Sequence, residues 1–256
     1  MNGVFYIGAT GLDVQQRALE VVANNIANMN TPAFKQSHAL FSQMMGADAP
    51  ADQDPSSADV QPAFLGVKLD AAPLDFTQGP LAQTGAPLDV AINGPGFMEL
   101  MGPGGQTLLW RGGSLMVNSD GYLAAPNGMP LQAMISVPRD AASVTIGADG
   151  KVTATVDGTS DPLTIGQIDL VQDVDPTTLT AVSGGLYAPQ SETDLTSSAP
   201  GSDGTGVLAP GYIEGSNVDL ANEMVTLLLM QRAYSANAQV VQAGDQLMAI
   251  ANGLKS

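Results

Sequence analysis

The sequence predicts an α+β fold in which a long helix at each end of the chain flanks a central antiparallel β region. Residues 8–29 and 217–252 contain no proline and carry apolar residues at helical spacing. From about residue 76 to 212, short apolar runs alternate with Asn-Gly, Asp-Gly and Gly-Pro turns, a pattern typical of antiparallel strands. Gly46–Pro62 is rich in Pro, Ala, Asp and Ser and predicts a loop or linker.

The first helix carries two adjacent apolar stripes. One stripe comprises Leu12, Leu19, Val22, Ile26 and Met29, and the other comprises Ile7, Val14, Ala18 and Val21. Together they make a face wider than a two-helix seam requires. Proline disfavours helix in the residue before it, so Thr31-Pro32 is expected to end this element.

The last helix shows the same doubling. Its stripes are Leu220, Met224, Leu227, Tyr234, Val241 and Met248 on one side, and Met230, Ala233, Val240, Leu247, Ala251 and Leu254 on the other. Ser216 or Asn217 can cap its start, and Asp219 and Glu223 suit the positive end of the helix dipole. Two terminal helices of this kind bury their stripes against each other, as in a coiled coil, or against helices of other copies, which favours self-assembly.

These patterns predict three parts. Residues 1–35 and 213–256 form a terminal helical domain, 36–75 an extended linker, and 76–212 a sandwich- or barrel-like β domain. The strands are expected at Leu88–Ile92, Phe97–Met101, Thr107–Trp110, Leu115–Val117, Pro130–Val137, Val144–Ile146, Val152–Val156, Leu163–Val171 and Leu186–Ala188. Gln190–Gly206 is polar and predicts a surface loop.

Composition excludes several classes of function. The net charge of -17 disfavours nucleic acid and anionic lipid as partners. Cysteine is absent, so no disulfide or thiolate site can form. The N-terminus lacks the basic segment and apolar core of a cleaved signal peptide, and the apolar run Leu227–Met230 is far too short to span a bilayer. We therefore expect either a cytoplasmic protein or export by a route that cleaves no signal.

No motif for catalysis, metal or cofactor emerges. The single histidine, His38, has no carboxylate pair nearby in sequence, and Asn93–Phe97 is interpreted as a tight turn before a buried Phe97 and not as a phosphate loop. Asp169, Asp173 and Asp175 lack the spacing of a calcium loop. Two rivals to a structural subunit remain open: a secreted β-type binding module with helical flanks, and an enzyme that uses a carboxylate pair.

Three motifs, in order along the chain, resemble those of the flagellar rod and hook (axial) protein family. They are Val22–Asn28 with Thr31–Lys35, then Pro87–Phe97, then Gly215–Asp219 with Glu223-Met224 and Gln231–Tyr234. Trp110–Leu115 matches more loosely. Ala33 replaces the usual glycine of T-x-G-F, Gly112 stands where aspartate is common, and Met98 replaces a frequent phenylalanine; a left-handed backbone is less comfortable for Ala33 than for glycine.

The resemblance implies a non-enzymatic rod subunit without cofactors, exported uncleaved through the flagellar type III apparatus. Its place is the basal-body rod crossing the periplasm, in the distal part, with the neighbouring proximal part as the alternative. Implied partners are further copies, the proximal rod proteins, the hook protein and the surrounding rings. The stripes and motifs together assign self-assembly to Leu12, Leu19, Val22, Asn24, Asn25, Ile26 and Asn28 on the first helix, and to Leu220, Met224, Leu227, Gln231, Arg232, Tyr234, Val241 and Met248 on the last. The family turn motifs are Asn93, Gly94, Gly96, Phe97, Ser216 and Asn217.

Overall fold

The computed structural model describes residues 2–45, 64–69, 73–156, 161–182 and 184–253. The chain divides into two compact units. The helical unit comprises Met1–Ala27, Ser37–Pro73 and Asp219–Ser256, and the β unit comprises Asn28–Gln36 and Leu74–Val218. The predicted loop Gly46–Pro62 lies outside the described residues. The three-part division from sequence stays a prediction, and its boundaries differ from those of the two units.

Helix α1 spans Asn2–Ala27, so the predicted N-terminal helix is confirmed and begins earlier than expected. Its buried face is formed by Val14, Ala18, Val22 and Asn25, at spacings of three and four residues. This face combines one residue of the first predicted stripe with two of the second. A turn that includes Asn28 follows, with the Thr31 amide donating to the Asn28 carbonyl at 3.0 Å.

Helix α2 spans Leu220–Gly253, and it confirms the predicted C-terminal helix. Its cap is Asp219, whose carboxylate accepts from the amides of Ala221 at 2.9 Å and Asn222 at 3.4 Å. The expectation that Ser216 or Asn217 caps the helix was therefore wrong, because the helix begins later than predicted and those side chains are used elsewhere. Within the described ranges, neither helix combines the length and apolarity needed to cross a bilayer.

The two helices run antiparallel in contact within the helical unit. A Cβ built on Gly8 would lie 2.6 Å from Val241 Cγ2, and one on Gly11 would lie 3.1 Å from Asn237 Nδ2. Glycines at these positions let the two backbones approach closely. The face of α2 directed at this contact holds the half-buried residues Leu220, Leu227, Met230, Asn237, Val241 and Gly244.

Part of the segment expected to be an extended linker is a strand pair. Strand β1 (Phe41–Met45) pairs antiparallel with β2 (Phe64–Leu69) inside the helical unit. Strand β2 also packs against α1. Regular structure in this segment was not predicted, because Pro- and Asp-rich sequence lies between the two strands.

The β unit consists of short antiparallel strands, which confirms the predicted class of its central region. Its strands are β3 (Leu81–Gln83), β4 (Asp89–Asn93), β5 (Met98–Met101), β6 (Thr107–Trp110), β7 (Gly112–Ser114), β8 (Met116–Val117), β9 (Leu123–Ala124), β10 (Ala141–Ile146), β11 (Lys151–Val156), β12 (Leu163–Gln167), β13 (Leu170–Asp173), β14 (Thr180–Val182), β15 (Leu186–Ala188), β16 (Leu195–Ser198), β17 (Val207–Pro210) and β18 (Tyr212–Glu214). In the part of the chain that is described, they form small sheets of 2 to 4 strands, with orders β10-β11-β12, β13-β16, β14-β15-β6-β5, β17-β4-β7, β18-β3 and β8-β9. Sandwich- or barrel-like closure stays a prediction.

The core of the β unit lies between these sheets. Val90, Ile92, Leu100 and Trp110 belong to its larger cluster of buried side chains. A smaller cluster contains Phe97 and Tyr187, with Phe76 packed edge-on to both rings at centroid distances of 5.3 and 5.1 Å. Edge-to-face contacts of this kind favour one arrangement of the rings.

Three segments depart from the predicted strand pattern. Pro130–Val137 makes only isolated bridges, because Met134 adopts a left-handed φ of 44° and its amide closes a turn on the Leu131 carbonyl. Leu163–Val171 is two strands that break at Ile168-Asp169. Gln190–Gly206, expected to be a loop, contains a 3-10 turn at Glu192–Asp194 and strand β16.

The close approach of α1 and α2 predicts that Gly8→Leu weakens the helix pair. The added side chain meets Val241, and overpacking of this kind costs roughly 1–3 kcal/mol. Urea unfolding followed by the helical circular dichroism signal measures the loss. The control is Ala9→Leu, one residue along at an exposed position, and equal losses in the two variants would contradict the packing argument.

Candidate assembly site and buried charge cluster

An apolar patch lies on α2, on the side away from α1. It consists of Met224, Val225, Leu228 and Leu229, with exposed fractions between 52% and 58%. Their spacing places all four on one face of the helix over two turns. We refer to these four residues as the outer patch. Further along the helix, Val240 and Ile250 are also exposed.

The predicted assembly residues of α2 fall on both sides of the helix. Met224, Gln231, Arg232 and Tyr234 are exposed, whereas Leu220, Leu227 and Val241 are half-buried. Gln231 and Arg232 line an open groove of ≈ 420 Å³ beside Leu228. The side chain of Met248 is outside those described. A single stripe from Leu220 to Met248 was therefore too simple, because its members divide between the contact with α1 and the open surface.

The predicted residues of α1 are mostly turned inward. Val22 and Asn25 are buried, Asn24 is exposed, and the half-buried members are Leu12, Leu19, Ile26 and Asn28. The buried amide of Asn25 donates to Glu223 Oε1 at 3.0 Å and to the Ser37 carbonyl at 2.9 Å. Its oxygen accepts from the Ser37 amide at 3.1 Å. Asn25 thus ties α1 to α2 and to the start of the segment before β1.

Within the β unit, the family motifs converge on the buried carboxylate of Glu214. This residue is 0% exposed, and its cationic partners Lys35 and Arg111 are 1% and 2% exposed. Lys35 Nζ donates to Glu214 Oε1 at 2.7 Å, and Arg111 Nε donates to Glu214 Oε2 at 3.2 Å. The backbone amide of Gly79 donates to Oε1 at 3.0 Å. We call Lys35, Arg111 and Glu214 the charge cluster.

Backbone carbonyls complete the surroundings of the two cations. Lys35 Nζ donates to the Thr77 carbonyl at 2.7 Å. Arg111 Nη1 donates to the carbonyls of Gly94 at 3.0 Å and Gly96 at 2.6 Å. Burial lowers the pKa of Lys35 below its ordinary value, and the opposing attraction of Glu214 offsets only part of that effect.

The turn Asn93–Phe97 is held by Arg111. Gly94 and Gly96 have φ of 116° and 124°, which side chains other than glycine rarely adopt. Phe97 is buried, and the Arg111 guanidinium lies 5.6 Å from its ring centroid. The interpretation as a turn that leads into a buried phenylalanine is confirmed. Asn93, its first residue, is exposed.

Asn217 and Ser216 join the same region from the C-terminal side. Asn217 Oδ1 accepts from the Gln36 amide at 2.8 Å, and its Nδ2 donates to the Asp75 carbonyl at 2.8 Å. Ser216 Oγ accepts from the Val218 amide at 3.3 Å. The Asn217 amide group therefore links three separate segments of the β unit.

Two family departures have clear structural consequences. Ala33 is buried with a left-handed φ of 56°, so the backbone strain expected at this position is present. Its amide donates to the Glu214 carbonyl at 2.8 Å, and its carbonyl accepts from the Tyr187 hydroxyl at 3.3 Å. Gly112 has φ 103°, and a Cβ there would come within 2.4 Å of the Val90 carbonyl, so this backbone requires glycine.

Sequence reasoning did not identify the charge cluster or the hydrogen bond between Asn25 and Glu223. The signal available in the sequence was the small number of basic residues. The chain has only eight Lys and Arg residues, and Lys35 and Arg111 both fall inside otherwise apolar family motifs. A basic side chain in such a motif is either exposed or buried and paired with an acidic group, and the sequence alone does not identify that group.

Models of known families match most of the chain. Residues 5–35 match the flagella basal body rod protein family, 91–154 the D1 domain of the flagellar hook protein FlgE/F/G, and 209–254 the C-terminal region of the flagellar basal body rod FlgEFG proteins.

Full-length relatives agree with these matches. The flagellar basal-body rod protein FlgG of Buchnera aphidicola subsp. Schizaphis graminum is 35% identical over 249 residues, covering 95% of this chain and 96% of the relative. FlgG of Caulobacter vibrioides is 34% identical, with 97% of each chain covered. FlgF of the same species, also a basal-body rod protein, is 30% identical, covering 96% of this chain and 95% of the relative.

The chain belongs to the flagellar rod and hook protein family. Members of this family are structural proteins, so the expectation of a non-enzymatic function is confirmed and the carboxylate-pair enzyme is wrong. The pKa of Glu99 is raised by burial and by the neighbouring charges of Glu192 and Asp169. Among the described residues, no group of three possible metal ligands comes together.

The left-handed backbone of Ala33 predicts an unusual tolerance of glycine. Ala33→Gly loses a buried methyl but relieves a strain of about 1–2 kcal/mol, so we expect the free energy of unfolding to change by less than about 0.5 kcal/mol. The control Ala91→Gly lies in β4, equally buried but without positive φ, and it should cost about 1–2 kcal/mol. Denaturant titration compares the two, and similar losses at both positions would argue against strain.

Tyr187 predicts a specific loss of stability at alkaline pH. Burial raises the pKa of this phenol, so the folded protein keeps its proton while the unfolded chain releases it above its ordinary value near 10. Stability from this group is complete below that pH and falls by about 1.4 kcal/mol per unit above it. Urea titrations between pH 9 and 11 should show a shallower decline for Tyr187→Phe than for the parent. Tyr234→Phe, at an exposed ring, is the control and should leave the decline unchanged.

Proposed function

We propose that this chain is a subunit of the distal part of the bacterial flagellar rod, where copies pack through their terminal helices into a tube that carries torque from the motor to the hook. Family membership makes it a structural subunit of the basal-body rod that assembles with other flagellar rod and hook components. The packing model rests on one observation: α2 contacts α1 on one side and leaves the outer patch open on the other.

The outer patch offers apolar surface that repeated contacts between copies would bury. Full burial of a large apolar side chain is worth about 1.5–3 kcal/mol, and each of the four residues still exposes about half of its surface. Covering them is thus worth about 3–6 kcal/mol per contact before the cost of association. In an open helical assembly every subunit makes the same contact, so a modest local gain is multiplied along the tube.

The α1–α2 pair is expected to be coiled-coil-like in the assembled rod. Asn25 meets Glu223, and Gly11 meets Asn237, so the two contacts are fourteen residues apart on both helices. Fourteen residues are two heptads, the interval at which a coiled-coil seam repeats. We assign Asn25 and Asn237 to fixing this register, because a polar group in the seam finds its partner in only one alignment.

The distal position is supported by the relatives. FlgG is a distal rod protein, and in Caulobacter vibrioides FlgG is more similar to this chain than FlgF is, at 34% against 30% identity. The proximal rod subunit of similar size is therefore the less favoured assignment. Proposed neighbours are the proximal rod proteins, the hook protein and the surrounding rings. The rod crosses the periplasm, and we propose that the subunit reaches it through the flagellar type III export apparatus without a cleaved signal.

The outer patch predicts that Leu228→Asp blocks rod formation without unfolding the subunit. Leu228 is 55% exposed, so an aspartate there stays hydrated in the monomer but places an uncompensated charge in a packed contact. Electron microscopy of basal bodies from a rod-deficient strain complemented with the variant scores assembly, and circular dichroism of the purified variant scores folding. Leu227→Asp is a poorer test, because Leu227 is half-buried on the side of α1 and its loss damages the subunit as well.

Gln242→Asp is the matched control, since it adds the same charge to an exposed, non-apolar position of α2. It should assemble like the parent. Complete rods from Leu228→Asp would overturn the assignment of the outer patch. Failure of Gln242→Asp as well would mean that added charge alone, and not the patch, prevents assembly.

A further inference from the structure

The carboxyl group of Glu214 brings together segments far apart in the sequence. Its ion pair with Lys35 closes a separation of 179 residues, its bond from Gly79 one of 135, and its bond from Arg111 one of 103. We propose that Glu214 is a positioning residue that holds the segment following α1 and the segment preceding α2 in fixed places within the β unit. We call residues 28–36 and 213–218 the two root segments.

The root segments are attached to each other as well as to the charge cluster. The Ala33 amide donates to the Glu214 carbonyl, and the Gln36 amide donates to the Asn217 side chain. Lys35 belongs to the first root segment and Glu214 to the second, so their ion pair at 2.7 Å is also a link between the roots. Arg111 then connects this pair to the turn at Gly94 and Gly96.

The electrostatics make the arrangement cooperative. Two buried cations face one carboxylate. The remaining hydrogen bonds of the cations are accepted by three backbone carbonyls, those of Thr77, Gly94 and Gly96. Removing the carboxylate leaves two uncompensated cations in a site closed to water, which breaks the whole arrangement and not one bond of it. Removing Lys35 instead leaves Arg111 and Glu214 as a balanced pair. Removal of Glu214 is therefore expected to disturb the whole cluster, whereas removal of Lys35 is expected to disturb only the contacts of Lys35.

This role goes beyond rod formation, since it concerns the single subunit and is tested without assembly. Native-state hydrogen exchange of the purified full chain reads each amide separately. In Glu214→Gln, we expect exchange at Ala33, Gly79 and Gln36 to accelerate about a hundredfold or more, while the amides of the paired residues Leu100 and Leu108 in the β5–β6 ladder keep their slow exchange. Glu192→Gln, at an exposed carboxylate of the same unit, is the control and should change none of these amides.

Lys35→Met keeps the proposal testable if Glu214→Gln does not fold. It should accelerate exchange at Ala33 and Gln36 but leave the Phe97 amide, bonded to Val171 beside the turn held by Arg111, at its parental rate. Lys151→Met, at a lysine of an exposed ion pair, is the matched control. Uniform acceleration across root and core amides, or parental rates at the root amides, would overturn the positioning role. Neither result bears on the outer patch.

Discussion

The burial of the Glu214 carboxylate is the constraint on which the arrangement of the β unit depends. A charge removed from water must be paired and hydrogen-bonded, and here the partners Lys35, Gly79 and Arg111 come from three separate stretches of chain. Three family motifs that lie far apart in the sequence each supply one part of this cluster: Thr31–Lys35 supplies Lys35, Pro87–Phe97 supplies the carbonyls of Gly94 and Gly96, and Trp110–Leu115 supplies Arg111. Around this cluster, the side chain of Asn217 accepts a hydrogen bond from the Gln36 amide, and the Ala33 amide donates one to the Glu214 carbonyl.

The helical unit is governed by a different balance. Among the described residues, the buried face of α1 is apolar except for Asn25, and glycines lie where the two helices come closest. Apolar packing gives energy but little directional preference, which is why we propose that the polar contact of Asn25 with Glu223 sets the alignment of the two helices. The two units thus differ: buried charges and hydrogen bonds hold chain segments together in the β unit, whereas the helical unit leaves the apolar outer patch exposed.

Local patterns in the sequence sufficed for the elements but not for their meeting points. The terminal helices follow from stripes without proline, and the turn at Asn93–Phe97 follows from its glycines. Pro130–Val137 was misread because its apolar residues suit a strand, whereas the left-handed backbone of Met134 depends on tertiary context. The convergence on Glu214 was missed because pairing across 103 to 179 residues leaves no periodic trace. The split of α2 into an inner and an outer side required knowing where α1 lies.

The charge on the surface of the subunit depends on which charged residues are buried. The chain has eight basic residues against 25 acidic ones, and among the described residues Lys35 and Arg111 are buried together with Asp89, Glu214 and Glu223. Burial therefore removes similar amounts of both signs, and the exterior keeps the large acidic excess of the composition. Free copies repel one another over a Debye length of about 8 Å at physiological ionic strength. This repulsion keeps unassembled subunits apart, so under the packing model proposed above salt determines how readily the outer patches meet.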